Sequence, residues 1–125
     1  MIEAENGHTL KSLKRLASSI SKKVFTIGSK DRLAIHVAAV FACNFSNYLF
    51  GFAEQILTKQ GFELDILRPL IADTLNKSLD IGPGEAQTGP ASRGDLETLD
   101  KHMAFLEKSE YQEVYRLITE KLLNR

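Results

Sequence analysis

The chain has 125 residues, and its 16 Lys and Arg balance its 16 Asp and Glu. A net charge of zero gives no pull toward nucleic acid or an anionic lipid surface, so neither is an expected partner. The single cysteine, Cys43, excludes an internal disulfide framework and a multi-cysteine zinc site.

Hydrophobic content of 43% over this length is enough to build one domain with a real core. No apolar run is read as reaching the roughly 18 residues of a membrane span. Met1–Glu5 carries acidic residues and no apolar h-region, so a secretory signal is not expected. A cytoplasmic location follows as the expectation. His8, His36 and His102 are too dispersed to argue for a metal.

In chain order, Ile2-Glu3-Ala4 reads as a short strand before the turn pair Asn6-Gly7. Thr9 is a candidate cap for a helix with Leu10, Leu13, Leu16, Ala17 and Ile20 on one face. Val24-Phe25-Thr26-Ile27 reads as a second strand, closed by Gly28-Ser29. Together they make a strand–helix–strand unit, the pattern of a parallel-sheet edge. Two strands alone are marginal, so residues 1–29 read as the remnant of an α/β domain. A small αβ cap on a helical domain is the alternative.

Residues 30–125 read as a helical domain. Asp31 is the expected cap of a helix to about Lys59, stopped by Gly61. Apolar residues occur all round it, which predicts a buried central helix. At about 100° per residue, His36, Cys43, Asn47 and Glu54 align as one polar stripe, with Asn44 and Gly51 on its edge. Buried polar groups need partners, so the stripe calls for a ligand, water or another subunit. Taken singly, His36 reads as a core histidine and Cys43 as a small hydrophobe.

Asp65 is the expected cap of a third helix to about Ile81, with Pro69 in its first turn. Asp95 is the expected cap of a fourth, bearing Leu96, Leu99, Met103 and Leu106. Ser109 and Gln112 form a potential capping box for the last, whose apolar stripe begins at Tyr111. The result is a mainly α fold of about five helices.

Between the third and fourth helices runs Gly82–Asp95, with four of the eight glycines and two of the three prolines. Loops this long are often functional. This one mixes a guanidinium, carboxylates, hydroxyls and rigid Gly-Pro steps. It reads as a shaped loop presenting polar groups, or as a plain crossover. The sequence has no GxSxG elbow, no HExxH, no P-loop and no GxGxxG fingerprint.

Three segments carry a family resemblance: His36–Asn44, Leu70–Asn76 and Thr88–Asp95. They resemble the C-terminal helical domain of Rossmann-like NADP-dependent oxidoreductases, a domain of unknown function. That group is similar to pyrroline-5-carboxylate reductase, ketopantoate reductase and 6-phosphogluconate dehydrogenase-like enzymes. The resemblance implies a helical domain like the C-terminal one of 6-phosphogluconate dehydrogenase. It also implies NADP in the full-length protein, bound by a cofactor domain missing from this chain.

By the same resemblance, His36 and Asn44 take catalytic roles. Asn47 joins them toward substrate by its place on the polar stripe, and Thr88, Arg93 and Asp95 of the loop motif complete the expected substrate-binding set. Related hydroxyacid dehydrogenases often carry a lysine where Val40 stands, so their chemistry does not transfer. The stripe and loop are expected to serve one small-molecule substrate, with Arg93 as the anion clamp. The implied role is the substrate-binding and dimerisation half of a reductase, inert alone. A homodimer is expected through Phe45, Tyr48 and Phe52. The alternative is a non-enzymatic helical interaction module.

Without a strand–glycine-turn–helix to supply phosphate-binding N–H groups, the chain alone should not bind NADPH. Calorimetric titration is expected to give no heat of binding, and a micromolar constant would contradict the reading.

Overall fold

The computed structural model describes residues 1–124. Contacts cluster in two compact units, Met1–Gly51 and Phe52–Arg125, divided within one long helix.

The first unit opens with α1 (Gly7–Ile20). Its cap is Asn6, not Thr9. The Asn6 side chain accepts the Thr9 backbone N–H at 2.9 Å, as an Asx residue does at a helix start. The expected strand–helix–strand is not formed. Ile2 and Thr26 make a single parallel bridge, with Ile2 N–H donating to Phe25 at 2.9 Å and Ile27 N–H donating to Ile2 at 3.1 Å. Two such short segments have no neighbouring strands to extend the ladder, so they stop at a bridge. Glu3 fastens this segment to the next helix. It pairs with Arg32 and accepts the Ser29 hydroxyl at 2.7 Å.

The next helix runs continuously from Ser29 to Lys59. It begins one turn before expectation. Gly28 is the cap position, and its N–H reaches back to the Asp31 carboxylate at 3.4 Å. Asp31 therefore sits in the first turn, where its charge suits the helix dipole. The helix comprises α2 (Ser29–Ala39), a π-turn (Val40–Phe45) and α3 (Ser46–Lys59). The Phe41 carbonyl within the π-turn also receives the Ser46 hydroxyl, at 3.5 Å. Gly61 ends the helix as expected, with φ of 80°, a value that favours glycine.

Between Leu33 and Ala53 the helix has no charged residue. It is long and apolar enough to cross a membrane by length and composition, which corrects the expectation that no segment would be. The prediction of a buried central helix also fails. No described residue between Met1 and Gly51 is buried. All-round apolarity specified a need for cover, and this unit does not supply it.

The second unit holds the core. A 3₁₀ turn (Leu64–Leu67) leads into α4 (Arg68–Asp80), with Pro69 in its first turn. Asp65 lies in the 3₁₀ turn and so does not cap α4 directly. After the loop come α5 (Leu96–Phe105) and α6 (Tyr111–Leu123), which pack together. The Ser109–Gln112 capping box is absent. The Ser109 hydroxyl donates to Leu106 C=O at 2.6 Å, and the Gln112 amide donates to Met103 C=O at 3.0 Å. Both side chains close the end of α5 instead of opening α6.

Ala91, Leu99, Leu106 and Tyr111 are the buried residues among those described. Tyr111 is the hub. Its ring meets Phe52 at 4.7 Å and lies under the Lys59 ammonium at 5.3 Å, and its hydroxyl donates to Gln55 Oε1. This places Phe52 in the internal packing of its own unit.

Candidate functional site

The π-turn changes which residues share a face of the long helix. In an unbroken α-helix, residues four apart drift by about 40° per step. A turn closed from i to i+5 takes about one more residue and cancels much of that drift. Residues four apart then form nearly straight lines. One line carries His36, Val40, Asn44 and Tyr48. The next carries Leu33, Val37, Phe41, Phe45 and Leu49. A third, opposite the first two, carries Ala34, Ala38, Ala42 and Ser46.

The stripe of His36, Cys43, Asn47 and Glu54 assumed uninterrupted α geometry, and the π-turn breaks it. Cys43 and Asn47 rotate off the His36 line. Asn44 and Tyr48 move toward it. His36, Asn44, Asn47 and Tyr48 are all exposed.

The apolar line is uncovered along its length. Phe41 is 64% exposed, and its ring meets Phe45 edge-on at 5.0 Å. Leu33, Val37, Phe45 and Leu49 are exposed as well.

The loop Gly82–Asp95 is folded on itself, as a shaped loop should be. Ala86 N–H bonds Gly82 C=O at 3.0 Å, and the Ser92 hydroxyl bonds Gly89 C=O at 3.2 Å. Ala91–Arg93 forms a 3₁₀ turn that packs on α6, with Ala91 buried. Gly89 and Gly94 have φ of 110° and 66°, which side-chain-bearing residues rarely adopt. These two positions set the path of the Pro90–Arg93 segment between them.

The loop borders an open cavity of about 660 Å³. Gln87, Thr88, Ser92 and Arg93 supply its polar wall, and Leu122 and Leu123 of α6 its apolar wall. No carboxylate lines it among the described residues. Thr88 also borders a second hollow, of about 440 Å³, against Thr74 and Lys77 of α4.

Asp95 has a structural task. Its carboxylate accepts the Thr98 N–H at 3.1 Å and the Thr98 hydroxyl at 2.8 Å, capping α5. The Thr98 backbone bond is the largest cause that holds its pKa below the usual carboxylate value. The Thr98 hydroxyl adds to it, and Arg93 and Lys101 contribute smaller charge effects. Thr88 and Arg93 thus share the cavity, while Asp95 faces its own helix.

Residues 1–122 match the family model described as Domain of unknown function (DUF2520). The chain belongs to the DUF2520 family. No curated protein matches it. A crystal structure from Bacteroides fragilis, titled "putative NADP oxidoreductase BF3122", matches with a TM-score of 0.92 and 34% identity. The match covers 97% of this chain and 47% of that one, so the chain spans about half the length of that protein. The resemblance carried by the three sequence motifs is therefore sound. This is a helical domain of the kind found in such oxidoreductases.

A depressed folded-state pKa means that Asp95 stabilises α5 above its unfolded pKa of about 3.9, and that this is lost as pH falls through the lower folded value. Asn is as good a cap but does not titrate. Asp95→Asn should leave neutral-pH stability nearly unchanged and flatten the loss of stability below about pH 4, read by urea unfolding across pH. An unchanged acid limb would mean that the cap bond is not formed in solution.

Proposed function

We propose that this DUF2520 chain is the substrate-side and dimerisation half of an NADP-dependent oxidoreductase. The observation that carries the reading is the charge-free helix Leu33–Ala53, with one polar line and one uncovered apolar line side by side. The likeness to the Bacteroides fragilis protein, named as an NADP oxidoreductase, supports the reaction class.

This chain does not fit a dinucleotide by itself. It has no glycine fingerprint, and Pro83 removes an N–H from the Gly82-Pro83-Gly84 step. NADP is accordingly proposed for the longer protein, and no hydride step is derived from these residues.

The chain's own groups bind and orient. Arg93 takes the carboxylate of a small substrate, because its planar fork matches a carboxylate in a pocket wall that holds no competing acid. Thr88 adds a hydroxyl to the same wall. His36 offers a ring N–H as a hydrogen-bond donor. Asn44, on the same helix line, offers its side-chain amide to a carbonyl oxygen. His36 and Asn44 lie eight residues apart, about 12 Å along the axis, so they hold different atoms. The loop cavity of the second unit fits a small molecule bearing a carboxylate, and the helix line of the first fits a carbonyl or imine group.

The apolar line is the proposed dimer seam. A two-fold pairing lays the same line of one copy against that of another, and no charge in Leu33–Ala53 selects a different partner. Pairing would remove Phe41, Phe45 and Leu49 from water at roughly 25 cal/mol per Å² of apolar surface. Exposed apolar patches of this kind mark interaction sites.

Light scattering should give twice the chain mass of 14.0 kDa, and Phe45→Glu should return it to the single mass. A strict monomer at high concentration would count against the seam, and co-sedimentation of the chain with neutral vesicles would assign the helix to a membrane instead. For the pocket, oxamate is a suitable probe, an unreactive molecule with a carboxylate beside a carbonyl. Arg93→Lys is expected to weaken it about tenfold by losing the bidentate contact. Equal affinity, read by calorimetry, would remove Arg93 from the site.

A further inference from the structure

We propose that the carboxylate taken by Arg93 belongs to a ligand with a short apolar body, a straight or branched alkyl chain, seated in a second hollow on α6 beside the loop cavity. The proposal rests on the reading of Arg93 as a carboxylate clamp and extends it to the other end of the ligand.

Four observations carry it, all within the second unit. First, Leu117, Ile118, Lys121 and Leu122 of α6 and Gln87 of the loop border a hollow of about 360 Å³. Gln87 and Leu122 also border the cavity of about 660 Å³ that holds Arg93, so the two hollows share one wall residue from the loop and one from the helix. Each volume lies in the range of small-molecule sites, about 300–1,000 Å³. Second, the α6 wall is apolar and open to solvent, with Leu117 57% and Ile118 41% exposed. Ile118 and Leu122 are four residues apart, which puts them on one face about 6 Å along the axis, the length of a short alkyl chain. Third, Arg93 and Lys121 are the charged residues among those lining the two hollows, and neither makes an ion pair among the described residues. That balance favours an anion and disfavours an ammonium group. Fourth, Gln87 is tied down where the hollows meet, its amide N–H donating to Thr88 C=O at 2.9 Å.

Such a site sorts ligands by both ends. The Arg93 fork offers a carboxylate two donors, and the α6 side chains gain from apolar surface withdrawn from water. A head alone leaves the α6 hollow wet, and a tail alone leaves both cations unanswered. Lys121 can lay its methylene stem along the tail and keep its ammonium in water. The α4 hollow is a poorer seat for the tail, because the Asp73–Lys77 ion pair, at 2.8 Å, forms part of its wall.

The test is calorimetric titration of the whole chain with acetate, hexanoate and hexan-1-ol, followed by backbone ¹⁵N NMR. Each methylene added to the acid should tighten binding about twofold, since an open hollow covers about half of it, so hexanoate should bind roughly tenfold or more tighter than acetate. Hexan-1-ol should bind more weakly than hexanoate. Acetate should shift the Ser92–Gly94 signals, and hexanoate those of Leu117–Leu122 as well. Arg93→Gln should weaken both acids. Leu117→Gln, at an exposed position that suits a straight-chain helix former, should keep the melting temperature, weaken hexanoate about threefold and leave acetate unchanged. Ile118→Thr, of nearly the same shape as the residue it replaces, should do the same. Hexanoate no tighter than acetate, with Arg93 still required, overturns the proposal and leaves the carboxylate reading standing. Hexan-1-ol as tight as hexanoate, or shifts confined to Leu33–Leu49, also overturns it. No Arg93-dependent binding of either acid overturns both.

Discussion

One turn of backbone, Val40–Phe45, governs what the long helix presents. Had the helix stayed α throughout, drift would have smeared its polar and apolar residues around the circumference. The i to i+5 closure holds residues four apart nearly in line. The sequence is written for that geometry. Every fourth position from Leu33 to Leu49 is large and apolar, and every fourth from Ala34 to Ser46 is small. The polar line from His36 to Tyr48 lies beside the large apolar one. A helix patterned this way can use one line for a ligand and its neighbour for another copy of itself.

The second unit solves a different problem, that of holding an irregular loop still. Loops usually keep to the surface because their backbone polar groups need water. Gly82–Asp95 satisfies many of its own, through the Ala86, Ser92 and Gly94 bonds, and anchors itself with the buried Ala91 against α6. Asp95 then converts the loop's end into a helix cap. Arg93, two residues earlier, is the last residue of the 3₁₀ turn and is followed by a left-handed glycine. A guanidinium so placed has its backbone entropy largely spent before any anion arrives.

Local chemistry was the legible part of the sequence. The Asp95 cap, the Gly61 stop, the Pro69 position and the folded loop all follow from short-range rules and are present. The family was legible too, from three motifs. The misreadings have physical causes. The Asn6 cap was missed because Asn6-Gly7 is also a turn pair. The strands reduced to one bridge because no sheet surrounds them. The polar stripe was drawn on the wrong register because nothing in residue type announces a π-turn; only the four-residue repeat of Leu33, Val37, Phe41, Phe45 and Leu49 hinted at it.

The lack of a buried residue before Phe52 follows from the same pattern. A helix that is apolar all round gains stability only where something covers it. In the second unit, Tyr111 covers Phe52 and binds Gln55, and a core forms around that ring. Phe41 and Phe45 stay exposed, and their rings meet each other edge-on. The hydrophobic free energy of that half is therefore conditional on a partner surface. Such conditional stability ties folding to assembly. On the proposed reading, the polar line would be fully ordered only when the neighbouring apolar line is covered, which would couple a ligand-facing side and a dimer seam through a single helix.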